Sequence, residues 1–132
     1  GFCPPDVEPW LPIGSEHRTV NVRTELDEPR SMLNLARRLL ALRRESAALA
    51  IGTYRPVDGE GVSDACFVFQ REAAGERLLV VLNFADEEQT VRVPEAGSAR
   101  VLVSTALDRG GTVDPNALWL RPAEGLVLSL SG

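Results

Sequence analysis

Leu78-Leu79-Val80-Val81-Leu82 is the stretch on which the fold turns. Successive side chains of a strand point to opposite faces, so a strand wet on one side alternates apolar with polar residues. This run is apolar on both faces, which predicts a central strand covered from both sides. Downstream, Gln89-Thr90-Val91-Arg92-Val93 does alternate, so one of its faces is expected to meet solvent. From Gly52 onward the same period of two marks further candidate strands at Thr53–Val57, Ala65–Arg71, Arg77–Phe84, Arg100–Ser104, Ala117–Arg121 and Gly125–Leu130. Turn residues separate them at Asp58-Gly59, Ala74-Gly75-Glu76, Asp86-Glu87, Pro94–Gly97, Arg109-Gly110-Gly111 and Pro122–Gly125. Short strands joined by hairpin-length gaps predict an antiparallel β-sandwich over 52–131.

Before Gly52 the period is helical. Met32, Leu33, Leu35, Ala36, Leu39, Leu40 and Leu42 fall on one arc, with Arg30, Asn34, Arg37, Arg38, Arg44 and Glu45 opposite. This predicts one amphipathic helix over 29–48, capped by Asp27 or Glu28, with Pro29 in the first turn. Arg43 lands inside the apolar arc. It must either reach a carboxylate or carbonyls, or extend its guanidinium to the edge of the helix. Residues 1–28 read as an irregular arm, because Pro4, Pro5, Pro9 and Pro12 each remove a backbone donor. Thr19–Val22 is a possible short extended piece. Phe2, Trp10, Leu11 and Ile13 are not the composition of a disordered tail, so the arm is expected to pack against a partner. The expected chain is therefore mainly β, with one N-terminal helix and an irregular N-terminal arm.

Several functions are excluded by composition. The 132 residues carry a net charge of −5, whereas nucleic-acid binding calls for a clustered basic face. No apolar run is long enough to span a membrane, and no signal-peptide pattern opens the chain. Cys3 and Cys66 are too few and too far apart for a metal motif, which predicts two free thiols in a reducing cytosol and no cofactor. Glycoside hydrolysis needs two facing carboxylates. Asp58, Glu60, Asp64, Glu72, Glu76, Asp86, Glu87, Glu88 and Glu95 sit in or beside turns and read as solvated instead. Ser15 and His17 lie two residues apart without a nucleophile elbow, and Gly110-Gly111 does not precede a helix. Trp10 and Trp119 are the candidate sugar-stacking residues; Trp119 must face away from Leu118 and Leu120, and packing against the helix is its simpler role. No complete catalytic constellation is present.

The order of several short motifs adds a resemblance. Gly1-Phe2, Glu8-Pro9-Trp10-Leu11-Pro12-Ile13, Pro29-Arg30-Ser31-Met32-Leu33-Asn34 and Leu42-Arg43-Arg44-Glu45 are followed by Val80-Val81-Leu82-Asn83-Phe84, by Ser104-Thr105-Ala106-Leu107-Asp108-Arg109 and by Leu120-Arg121-Pro122-Ala123-Glu124-Gly125. Together they resemble the C-terminal part of α-amylase-superfamily α-glucosidases and oligo-1,6-glucosidases. The resemblance implies that 1–50 is the end of a (β/α)₈ barrel, with loop 1–28 near the sugar-binding mouth and helix 29–48 as its last helix. It implies that 52–131 is the C-terminal β-domain, and that Phe2 and Trp10 lie near substrate. The family's catalytic acids have no counterpart here. Cys3 stands where a hydroxyl residue is expected, and Ala47 where proline is frequent. The implied function is that of a non-catalytic C-terminal piece of a retaining α-glucosidase-like hydrolase. Its partner would be the barrel or a second copy of the chain, with an α-glucan or oligosaccharide near the arm. The alternatives are a free-standing carbohydrate-binding module and a dimerising interaction domain.

Overall fold

The computed structural model describes residues 3–4 and 6–131, apart from the side chain of Glu95. Eight strands form the β-domain: β1 Thr53–Pro56, β2 Cys66–Ala73, β3 Glu76–Asn83, β4 Gln89–Val91, β5 Ser98–Ser104, β6 Thr112–Val113, β7 Leu118–Leu120 and β8 Gly125–Ser131. They make a six-stranded sheet in the order β1-β2-β3-β8-β5-β6 and a two-stranded ribbon, β4-β7. Every pairing is antiparallel. Seven strands lie where the period of two placed them. The eighth, β6, is two residues long, too short to display any alternation.

The central run occupies β3, between β2 and β8, and its two faces enter different layers. Leu79 and Val81 join Val68, Leu126, Leu128 and the ribbon's Val91, Leu118 and Leu120 in the core between sheet and ribbon. Val80 packs on the opposite face with Val103, Val127 and Leu35. Ribbon β4 is wet outside, with Thr90 exposed and Val91 buried. Ala74 and Gly75 join β2 to β3 with φ of 53° and 80°, the doubly left-handed loop whose twist suits an antiparallel pair. A bulge between Val101 and Val103 shifts the register of β5 against β8. The odd-numbered series therefore changes face: Ala99 and Val101 point into the sandwich, Val103 toward the helix.

Among the described residues three α-helices precede the sheet: α1 Val22–Asp27, α2 Met32–Glu45 and α3 Ala47–Ile51. The single helix expected over 29–48 is thus shorter and ends in a break at Ser46. Its cap is Ser31, whose Oγ accepts from the Asn34 amide at 3.1 Å, not Asp27 or Glu28, and Pro29 lies outside it. The described part of 1–28 is less irregular than its prolines suggest: a 3₁₀ turn spans Ser15–Arg18, and Asn21 caps α1 through the Thr24 amide, so Val22 opens a helix instead of ending an extended piece. Helix α2 packs Leu35 and, in part, Leu42 on the outer face of the sheet. Met32, Leu39 and Leu40 remain exposed.

Glu76 corrects the reading of the turn acids as solvated. Its Oε2 accepts from Ser46 Oγ at 2.8 Å and from the Ala48 amide at 3.0 Å, placing a carboxylate at the N-terminus of α3. Arg43 is exposed and donates from Nη1 to the Leu49 carbonyl at 2.8 Å, so it meets a carbonyl and no acid. Arg43→Ala should therefore cost only about 0.5–1 kcal/mol, the usual worth of one hydrogen bond. Chemical denaturation of the two proteins checks this; a loss of several kcal/mol would mean that the arginine sustains more than this bond.

Candidate functional site

Three of the segments that carry the resemblance, far apart in sequence, meet at one end of the sandwich. The end of β3 supplies Asn83, the β5–β6 turn Asp108 and Arg109, and the β7–β8 turn Arg121 and Glu124. Arg121 grips Asp108 with two parallel bonds, Nη1 to Oδ2 and Nη2 to Oδ1, each 2.7 Å. Its Nε and Nη2 also donate to Glu124 Oε1. The other oxygen of Glu124 accepts from Arg109 Nη1 at 2.8 Å and from the Arg121 amide at 2.9 Å. Buried Asn83 donates to the carbonyls of Glu87 and Arg121 and accepts from the Ala85 amide. Leu107 and Ala123, directly before the two acids, have φ of 54° and 51°, a strained choice for residues with a Cβ. The ionic bonds hold these turns in place.

The acids of this cluster are committed to arginine. Hydrogen bonds from Arg121, helped by its charge, hold Asp108 down at about 2. Burial pushes the Glu124 carboxyl up, but bonds from the Arg121 side chain and backbone and the charge of Arg109 outweigh it, leaving it below its ordinary value. Both carboxylates raise the affinity of Arg121 for its proton. A general acid needs a proton to give near neutral pH, and a nucleophile needs a free oxygen. Neither carboxylate offers one. The cluster is a brace, built from bidentate, charge-assisted bonds.

The candidates from sequence lie elsewhere. Phe2 falls outside the described residues. Trp10 is 93% exposed. Trp119 lies on the outer face of the ribbon, on the far side of the sandwich from α2, so it does not pack against the helix. The Arg109 guanidinium sits 5.6 Å from its ring centroid, a cation–π contact, so one of its faces is taken. His17 Nδ1 lies 2.8 Å from the Gly14 carbonyl inside its own turn. Among the described residues no three histidine, cysteine or acidic side chains gather where a metal ion would fit. Cys3 and Cys66 are free thiols, and burial pushes that of Cys66 up. No described helix is long and apolar enough to cross a membrane.

A second feature is the surface beside α2. Tyr54 and Phe67 flank Phe69 on the outer face of β1 and β2, each with ring centroids 5.3 Å from it. Both flanking rings are about half exposed. The rings are tilted by 37° and 46°, so they form no flat platform of the kind a sugar ring lies on. Glu25 and Ser31 fasten the chain before α2 to its first turn. Ser31 Oγ donates to the Glu25 carbonyl at 2.6 Å, and Glu25 Oε2 accepts from the Leu33 amide at 2.8 Å. Asn34 Nδ2 adds a bond to the Glu28 carbonyl at 2.8 Å.

Known proteins share this architecture. Residues 66–124 match the family model of the alpha-amylase SusG C-terminal domain. The oligo-1,6-glucosidase of Parageobacillus thermoglucosidasius is 26% identical over 126 residues, 92% of this chain and 22% of that protein. The amino acid transporter heavy chain SLC3A1 of Rattus norvegicus is 32% identical over 130 residues, 92% of this chain and 19% of that protein. Trehalulose synthase MutB from Pseudomonas mesoacidophila MX-45 superposes with a TM-score of 0.81 at 25% identity, over 94% of this chain and 22% of the other. The chain is thus similar, almost throughout, to the C-terminal part of α-amylase-superfamily α-glucosidases and oligo-1,6-glucosidases. It spans about a fifth of the length of the curated relatives it matches.

Proposed function

We propose that this chain is the non-catalytic C-terminal part of a retaining α-glucosidase-like glycoside hydrolase, in which the β-domain anchors the last helix of a (β/α)₈ barrel. The observation that carries the reading is the end-to-end match of nearly the whole chain to one fifth of an oligo-1,6-glucosidase. The parent would cleave α-linked glucosides through a covalent glycosyl-enzyme intermediate, using carboxylates supplied by the barrel. The exposed Met32, Leu39 and Leu40 of α2 then face the barrel, since an apolar stripe of this kind is ordinarily covered. Residues 1–28 would form the loop at the sugar-binding mouth, with Phe2 and Trp10 closest to substrate, in a cytoplasmic enzyme. A second reading rests on the similarity to an amino acid transporter heavy chain. In that reading the parent would be a heavy chain of that kind and not a hydrolase.

Purified chain should show no turnover of an aryl α-glucoside. Activity that disappears on substitution of a single acid, Asp108→Asn for instance, would place catalysis inside these residues and end the non-catalytic reading.

A further inference from the structure

A cleft of about 590 Å³ opens at the edge of the sandwich, between β1 with its following loop and the chain leaving β4. Its floor is Gln70. This glutamine lies on the inward face of β2, in line with Val68, where an apolar residue would serve packing better. Gln70 is only 7% exposed. Its Oε1 accepts from Arg55 Nη2 at 2.8 Å. No described residue accepts from its Nε2, yet among the described residues no fully buried side-chain nitrogen or oxygen lacks a partner. That nitrogen must therefore owe its exposure to the cleft that the residue lines.

The walls add complementary groups. Arg55 and Arg92 bring guanidinium donors, Asp58 and Glu60 bring carboxylate acceptors, and Val57 and Pro94 supply apolar surface. Among the described residues none of these four charged groups is in an ion pair. Their formal charges cancel, so the cleft has no net attraction for an anion, and the two carboxylates repel one. Donors and acceptors set together over apolar walls suit a neutral ligand whose groups both give and accept hydrogen bonds while its C–H faces lie on the walls. The volume falls within the range of small-molecule sites.

We propose that this edge cleft binds a neutral, hydroxyl-rich molecule of the mono- or disaccharide class, with Gln70 Nε2, Arg55 and Arg92 donating to ligand oxygens and Asp58 and Glu60 accepting from ligand hydroxyls. The inference comes from the cleft alone and stands whether or not the parent is a hydrolase. The test follows the side-chain amide resonance of Gln70 in the ¹⁵N-labelled chain, assigned by its disappearance in Gln70→Met, during titration with maltose, citrate or phosphate. Maltose should move that resonance saturably. Arg92→Ala and Glu60→Gln, both at exposed positions and each checked for an unchanged melting temperature, should weaken binding roughly tenfold, as loss of one charge-assisted bond does. The proposal is overturned by an unmoved resonance at the highest maltose concentration, by response to citrate or phosphate alone, or by unchanged affinity in both variants.

Discussion

Leu79→Ala should lower the stability of the β-domain by about 3 kcal/mol or more, the cost typical of emptying a fully buried leucine site. Leu79 is 0% exposed, on a strand hydrogen-bonded on both sides, and faces the core shared by sheet and ribbon. The strands around it cannot close on the vacancy without breaking their ladders, so the cavity persists and its lining loses contacts as well as transfer energy. Leu40→Ala is the matched control. That leucine is 61% exposed on α2, and its truncation should stay within about 0.5 kcal/mol, as surface substitutions do. Chemical denaturation of both variants decides the matter. Similar losses for the two would mean either that Leu40 is covered in solution or that the sandwich core is loosely packed.

The contrast between those leucines also marks how far the sequence could be read. The central strand was legible because five consecutive apolar residues have no place in a strand wet on one face, and the other long strands because side chains alternate along them. Local periodicity reports local geometry and nothing further. Ser46 caps α3 locally through the Leu49 amide, but the carboxylate that joins it there, Glu76, lies thirty residues away in sequence, so no spacing rule connects the two. The bulge near Leu102 reverses the inward series of β5 without a glycine or proline to announce it. Trp119 was correctly turned away from Leu118 and Leu120, but alternation says only that it faces outward, not what lies outside. The candidate cleft was invisible for the same reason. Gln70 lies in the six-stranded sheet and Arg92 just past the end of ribbon strand β4, and only the folded chain brings them to one edge.

The motifs behind the resemblance were legible as a pattern, but not as a brace. Glu124→Ala should remove about 3 kcal/mol, the scale for breaking a buried ion pair. The carboxylate is almost wholly buried, and its loss strands the Arg121 amide and takes one acidic partner from each of two partly covered guanidinium groups, leaving Arg121 with Asp108 and Arg109 with the Trp119 carbonyl. The left-handed turn at Ala123 would lose its restraint too. A fall of roughly 10 °C in melting temperature is the corresponding shift for a domain of this size. Asp86→Ala, an exposed turn acid, should change little. The same brace sets the response to acid. Asp108 and Glu124 both titrate below their ordinary range in the folded chain, and a depressed carboxylate stabilises above its unfolded value and stops doing so as pH falls through its folded one. Melting temperature should therefore hold steady from neutrality to about pH 4 and then drop toward pH 2, where Asp108 takes its proton. In Glu124→Ala that acid limb should be shallower, because one of the two linked protons has gone. An identical limb in variant and parent would assign the acid sensitivity to other carboxylates and leave the brace a purely geometric feature of the fold.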